Sequence, residues 1–230
     1  GVKFDFKGPS GPGNLFTQTS TKLPERVAVV IGKNGSGKST LLARLARVAY
    51  ATPSQREEEP LKSLGIIGPS GLGFPRIVTI SYSAFDNFRV PGTSKRDQEQ
   101  VAKDVRSGTG RFVFCGLRDV AREMREELKL SDRARNFRRD RSRRTLLKPI
   151  GSLAAEYIRT IQRVVERNRI PLLKKAMAPL NKDPSFREVE GEVDDDIKAG
   201  GTGKHSLDWG TGHKIAVQVV VNLVAYAEAR

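Results

Sequence analysis

Gly32, Lys33, Asn34, Gly35, Ser36, Gly37, Lys38 and Ser39 spell the pattern G-x-x-x-x-G-K-[ST], with Thr40 directly behind it. The spacing suits one kind of chemistry. Glycines at 32, 35 and 37 free the backbone to turn its N–H groups inward around a phosphate, and a helix opening at that point adds the positive end of its dipole. Lys38 is placed to neutralise the β and γ oxygens of a nucleotide, Ser39 to offer its hydroxyl to Mg²⁺, and Thr40 to pack or cap behind them. The context is the one this motif requires: the β-branched run Arg26 to Ile31 reads as a buried central strand, and 'STLLARLARVAY' places Leu41, Leu42, Leu45 and Val48 at helical spacing. Two other glycine clusters lack the pattern: 'GIIGPSGLG' has no lysine, and in 'GGTGKHS' Lys198 stands five before Gly203 and His205 follows Lys204, so a plain loop is expected there.

Periodicity identifies the scaffold around this loop. 'VKFDF' (2–6) alternates as a half-buried strand, 'RIVTISYS' and 'RFVFC' (111–115) read as further strands, and residues 51–75 mix charge, Pro and Gly as a surface excursion. Helices are expected over 'RDVAREMREELKL', over Ser152 to Arg167, and again from Pro171. Residues 181–206 show no apolar period and read as a loop, with 'EVDDDIKAG' an exposed acidic stretch. The final apolar segment 'HKIAVQVVVNLVAYAEAR' reads as a buried helix from its length and from Gln218 and Asn222 one turn apart.

Composition sets the bounds. A chain of 230 residues with 37% hydrophobic content can bury a real core, and 41 Lys+Arg against 26 Asp+Glu gives a formal charge of +15, suited to nucleic acid, nucleotide phosphates or an acidic protein. Cys115 is the only cysteine, so an intrachain disulfide and a Cys-based metal cluster are excluded, and a buried strand position is expected for it. No apolar run approaches twenty residues, so no membrane association is expected and a soluble, cytoplasmic protein is. The chain opens on Gly, which suggests part of a longer product.

Four stretches in order, 'IGKNGSGKST', 'IVTISYSAFDNF' (77–88), 'FVFCGLRD' (112–119) and 'WGTGHKIAVQVVVNLVAY' (209–226), resemble the ABC-type, SMC-like AAA-family ATPases of bacteria, a group that includes ATPase components of Septu-type and some retron antiphage systems. The resemblance implies an α/β fold, a P-loop NTPase with a mixed sheet and an inserted helical lid. It divides the chain into an ATPase core at 1–90, a helical and basic insertion at 91–206, and a signature motif with its following helix at 207–230. ATP and Mg²⁺ are the implied cofactors.

In that family a signature sequence at a helix start faces the P-loop of a second subunit, so that two ATP molecules are sandwiched in a head-to-tail dimer. By resemblance Trp209, Gly210, Thr211, Gly212, His213 and Lys214 hold those positions, with Thr211, Gly212, His213 and Lys214 acting in trans. Gly210 stands where the family has a serine, and Thr211 is the candidate substitute. His213 has no second His or Cys at ligand spacing and reads as a signature residue or cap. 'SYSAFDNF' occupies the Q-loop position without a glutamine; Ser83 and Asp86 are candidate polar groups near Mg²⁺ or water, whereas Tyr82, Phe85 and Phe88 read as core.

Family members continue into an apolar strand ending in Asp-Glu-Pro, which supplies the Mg²⁺-supporting Asp and the water-polarising Glu. No apolar run followed by Asp-Glu occurs here, so the catalytic residues are not identified in this sequence. Implied for the complete protein is an ATPase that uses ATP-driven dimerisation as a switch, in antiphage defence, coupled to a nuclease effector or nucleic acid. The alternative is a non-hydrolysing ATP-binding scaffold that holds an effector. His205, His213 and one cysteine cannot build a nuclease centre of their own. Finally, the run Asp132 to Lys148 carries Arg138, Arg139, Arg141, Arg143 and Arg144 among its cations, suited to phosphates of DNA or RNA, to an acidic partner, or to a solvated face; Phe137 alone provides no stacking platform.

Overall fold

The computed structural model describes residues 29–69, 71–83, 89–129, 145–199 and 212–226, of which 187–190 and 212–214 are described in backbone only. The expected strand at 2–6 lies outside these residues.

The sheet is formed by the two most β-branched and aromatic runs. β1 (Ile77–Ser81) and β2 (Phe112–Gly116) pair in parallel, with Ile77 opposite Phe112 and Ser81 opposite Gly116. All five β2 residues are buried while β1 is half-buried, which matches the unbroken apolar 'FVFCG' against the alternating 'IVTIS'. Gly116 closes the register at φ 150°, and a Cβ there would stand 1.7 Å from the Ser81 carbonyl oxygen, so only glycine fits.

Parallel strands need a crossover, and α3 (Lys95–Ser107) provides it. Its start is a capping box: the Ser94 hydroxyl accepts from Asp97 N at 3.1 Å and the Asp97 carboxylate accepts from Ser94 N at 3.2 Å. The turn into β2 hangs on buried Asp104, which accepts from Phe112 N at 3.2 Å and Gln100 Nε2 at 2.7 Å. Val101, Ala102, Phe112 and Phe114 then pack with Val120 and Met124 of α4 (Val120–Leu128).

Ahead of the sheet, α1 (Lys38–Tyr50) lies against β1, followed by the short α2 (Pro53–Arg56). A second core is all helical. α5 (Ile150–Glu166) turns Leu153, Tyr157, Thr160, Ile161 and Val164 inward at three- and four-residue spacing. From Tyr157 onward this stripe meets α6 (Ile170–Met177), α7 (Arg187–Lys198) and α8 (Gly212–Tyr226) through Leu173, Met177, Val193, Val221 and Ala225.

Two expectations need correction. Val29 and Ile31 carry no strand and stand 70% and 89% exposed, because the described sheet has only β1 and β2 and offers the run no described neighbour to pair with. The acidic stretch expected as a loop is α7: Val193 and Ile197, one turn apart, seat it on the helical core while Asp194 and Asp195 face water. β2, expected as a strand at 111–115, pairs with β1 across residue 90.

Candidate functional site: a phosphate loop opening a helix

The loop adopts the conformation its glycines allow. Gly35 and Gly37 sit at φ 81° and 85°, a region costly for any side-chain-bearing residue, and no described atom lies within 4 Å of a Cβ built at either. Between them the chain turns on a hydrogen bond from Ser36 N to the Lys33 carbonyl at 3.2 Å. Gly32 is pressed against this turn, since a Cβ there would meet Ser36 Oγ at 2.7 Å. Leu41 N to Gly37 O at 2.8 Å is the first bond of α1.

The helix start carries no acid in its first turn and no side-chain cap. Its leading N–H groups and dipole therefore stay available to an anion. Lys38 folds back over the loop, donating to the carbonyls of Gly32 at 2.7 Å and Lys33 at 2.9 Å. Those bonds hold the ammonium above the loop, and a phosphate oxygen would exchange for solvated carbonyls at little cost. Lys33, Asn34 and Ser36 are exposed on the loop; Ser39 and Thr40 are exposed in the first turn of α1, one and two residues beyond the lysine. The Ser39 hydroxyl fits the oxygen-only demand of Mg²⁺ and would supply one ligand, the others coming from water and a nucleotide's phosphates. Among the described residues no group of three His, Cys, Asp or Glu is placed to hold a metal by itself.

The far end of α1 is held firmly. Arg56 is buried, and its guanidinium donates to the carbonyls of Val48 at 2.8 Å and Ala49 at 3.2 Å in the last turn, and to Leu72 at 2.6 Å. A cation on the C-terminal carbonyls complements the helix dipole, leaving the opposite end as the electropositive one.

The other expected site residues are placed unevenly. Gly212, His213 and Lys214 lie in the first described turn of α8, while Thr211 lies outside the described residues. Arg138, Arg139, Arg141, Arg143 and Arg144 also lie outside them. The segment just beyond the arginine run is anchored: Leu146 O accepts from Asp119 N at 2.7 Å, Leu146 N donates to Glu123 at 2.9 Å, and Glu123 is paired with buried Arg118. Ser83 is exposed, and Asp86, Phe85 and Phe88 are outside the described residues.

Two features are not evident from the sequence. Tyr82, expected in the core, is half-buried, and its hydroxyl accepts a hydrogen bond from Asn222 Nδ2 at 3.1 Å, while Asn222 Oδ1 accepts from Gln218 Nε2 at 3.1 Å. Burial pushes the Tyr82 phenol well above its usual range. A cavity of about 70 Å³ lies beside β2, lined among others by Cys115, Glu156, Arg163 and Tyr226; its size suits waters, not a nucleotide. Cys115 is buried in its strand as expected, and burial followed by the charge of Glu156 drives its thiol far upward, so it stays protonated and inert.

Comparison with protein-family models, with curated proteins and with solved structures finds no match for this chain. Among the described residues no helix is long and apolar enough to cross a membrane.

Proposed function

We propose that the chain is the ATP-binding half of an ABC-type, SMC-like ATPase, in which Mg-ATP draws two copies together as a switch. The observation that carries this reading is the loop itself: the full motif, two glycines at positive φ, and a lysine folded over an uncapped and unneutralised helix N-terminus. The backbone from Gly32 to Gly37 wraps the phosphates, Lys38 balances β and γ charge, and Ser39 takes one position on Mg²⁺. The N-terminal end of α8, at Gly212, meets the γ-phosphate bound by the other copy, where the helix dipole favours an anion. The basic composition favours a nucleic-acid or acidic-effector partner, with cytoplasmic antiphage defence as the setting that the resemblance supplies.

The alternative reading is a scaffold that binds ATP through the same loop without hydrolysing it. Isothermal calorimetry with Mg-ATP tests what both share. Binding by the unmodified chain, lost by at least about a hundredfold in Lys38→Ala with unfolding free energy unchanged, supports the phosphate loop. Equal affinity in the variant overturns it. Phosphate release by the complete protein then separates ATPase from scaffold.

A further inference from the structure

We propose that Tyr82, Asn222 and Gln218 form a polar ladder that couples nucleotide occupancy of the phosphate loop to the position of α8; the proposal rests on the ATP-binding reading above. The ladder is out of place in its surroundings. α8 is built largely from Ile, Ala and Val, and its buried face contains Val217, Val221, Val224 and Ala225, yet Gln218 and Asn222 on the same helix are 1% and 0% exposed. Apolar side chains at these two positions would fill such a face without any need for hydrogen-bond partners. What a hydrogen bond adds is direction: apolar packing tolerates a small slide or rotation of a helix, whereas an amide must meet its partner at one distance and angle.

The partner is what gives the ladder its reach. Tyr82 is 140 positions from Asn222 in the chain and comes directly after the last residue of β1. β1 in turn lies against α1, the helix that the phosphate loop opens. From Tyr82 the ladder runs to Asn222 and then one turn back along α8 to Gln218, toward the end that begins at Gly212. A displacement of α1 on filling the loop thus has a route to α8 through the hydroxyl–amide contact. Its last rung is open: Gln218 Oε1 is buried and has no hydrogen-bond partner among the described residues. An arrangement with one buried acceptor unpaired is raised in energy relative to one in which a shifted α8 finds it a donor. That difference is what a two-position element needs.

The test uses the full chain and reads amide hydrogen exchange of the 212–226 segment with and without Mg-ATP, alongside ATP affinity by calorimetry and stability by urea unfolding. In the unmodified chain, Mg-ATP should change exchange in α8 by at least about threefold. Tyr82→Phe removes only the hydroxyl and keeps the ring; it should leave ATP affinity within about twofold and the fold intact, yet reduce the α8 response to near zero. Asn222→Leu with Gln218→Leu should behave in the same way while holding or raising stability, because the buried amides are replaced by apolar groups. A purely structural ladder predicts the reverse, altered stability with the ATP response retained, and that outcome overturns the proposal. ATP binding by the unmodified chain with no change in α8 overturns the coupling alone. Absence of ATP binding overturns the functional reading and the coupling with it.

Discussion

Arg56 donates through Nε to the carbonyl oxygen of Val48 at 2.8 Å, and so closes the C-terminal end of the helix that the glycine-rich loop opens. The guanidinium holds three carbonyls in a site only 7% exposed. Arg56→Ala would strand the Val48 and Ala49 acceptors away from water and is expected to cost about 3 kcal/mol, read by urea unfolding. Arg56→Lys should recover less than half of it, because an ammonium cannot copy the planar fork. Full recovery by lysine would mean that charge alone, and not geometry, holds α1.

Asp97 gives a pH signature. Burial pushes its carboxyl up, but hydrogen bonds from the backbone and hydroxyl of Ser94 and then from Thr93 outweigh that, so its pKa falls below the ordinary value. A depressed carboxylate contributes stability that is present above the unfolded-state pKa, about 4, and is lost as pH falls through the folded value. Asp97→Ala should therefore destabilise by about 1 kcal/mol at pH 7, and the gap to the unmodified chain should close toward about pH 2. Unfolding curves at both pH values check this; a gap independent of pH would place the effect in packing and not in the charged cap.

Gly116 is the sharpest steric constraint in the sheet. A methyl there would lie 1.7 Å from Ser81 O and 2.7 Å from Ser81 C, both backbone atoms that cannot swing away. Gly116→Ala should force β1 and β2 apart at their paired ends and cost about 3 kcal/mol or more. Gly151→Ala serves as the control: no atom lies within 4 Å of a Cβ there, and in α5 alanine should be neutral or better by about 1 kcal/mol.

How much of this was legible depended on whether the determining contacts were local. The conformation of the glycine-rich loop could be read because its spacing calls for turns, and Gly35 and Gly37 do take positive φ values. β1 and β2 announced themselves as β-branched and aromatic runs, and α5 as a clean 3.6-residue stripe. α7 was hidden because its apolar stripe is thin, Val193 and Ile197 amid acids, and only the helical core it rests on makes it a helix. The run before the loop failed in the opposite way: its β-branched sequence asks for a strand, but a strand needs neighbours, and Val29 and Ile31 have no sheet partner among the described residues. The Tyr82–Asn222 bond joins residues 140 positions apart, although two amides one turn apart in an apolar helix were a visible anomaly.

The trans role proposed for α8 yields the most discriminating experiment. Gly212 is the first described residue of α8, at the end where a helix dipole is positive. If this end receives the γ-phosphate held by a second copy, Gly212→Asp puts a carboxylate against that phosphate, and two anions at contact distance repel strongly in a partly dehydrated interface. The complete protein should sediment as a dimer with a slowly hydrolysed ATP analogue and as a monomer without it. The variant should remain monomeric under both conditions, while calorimetry finds its own nucleotide affinity within about twofold of the unmodified protein. A neutral Gly212→Ala control, compatible with a helix, should lose far less of the association. Loss of nucleotide binding by the variant as a monomer would instead place Gly212 beside the phosphate loop of its own chain, and the head-to-tail arrangement would have to be abandoned.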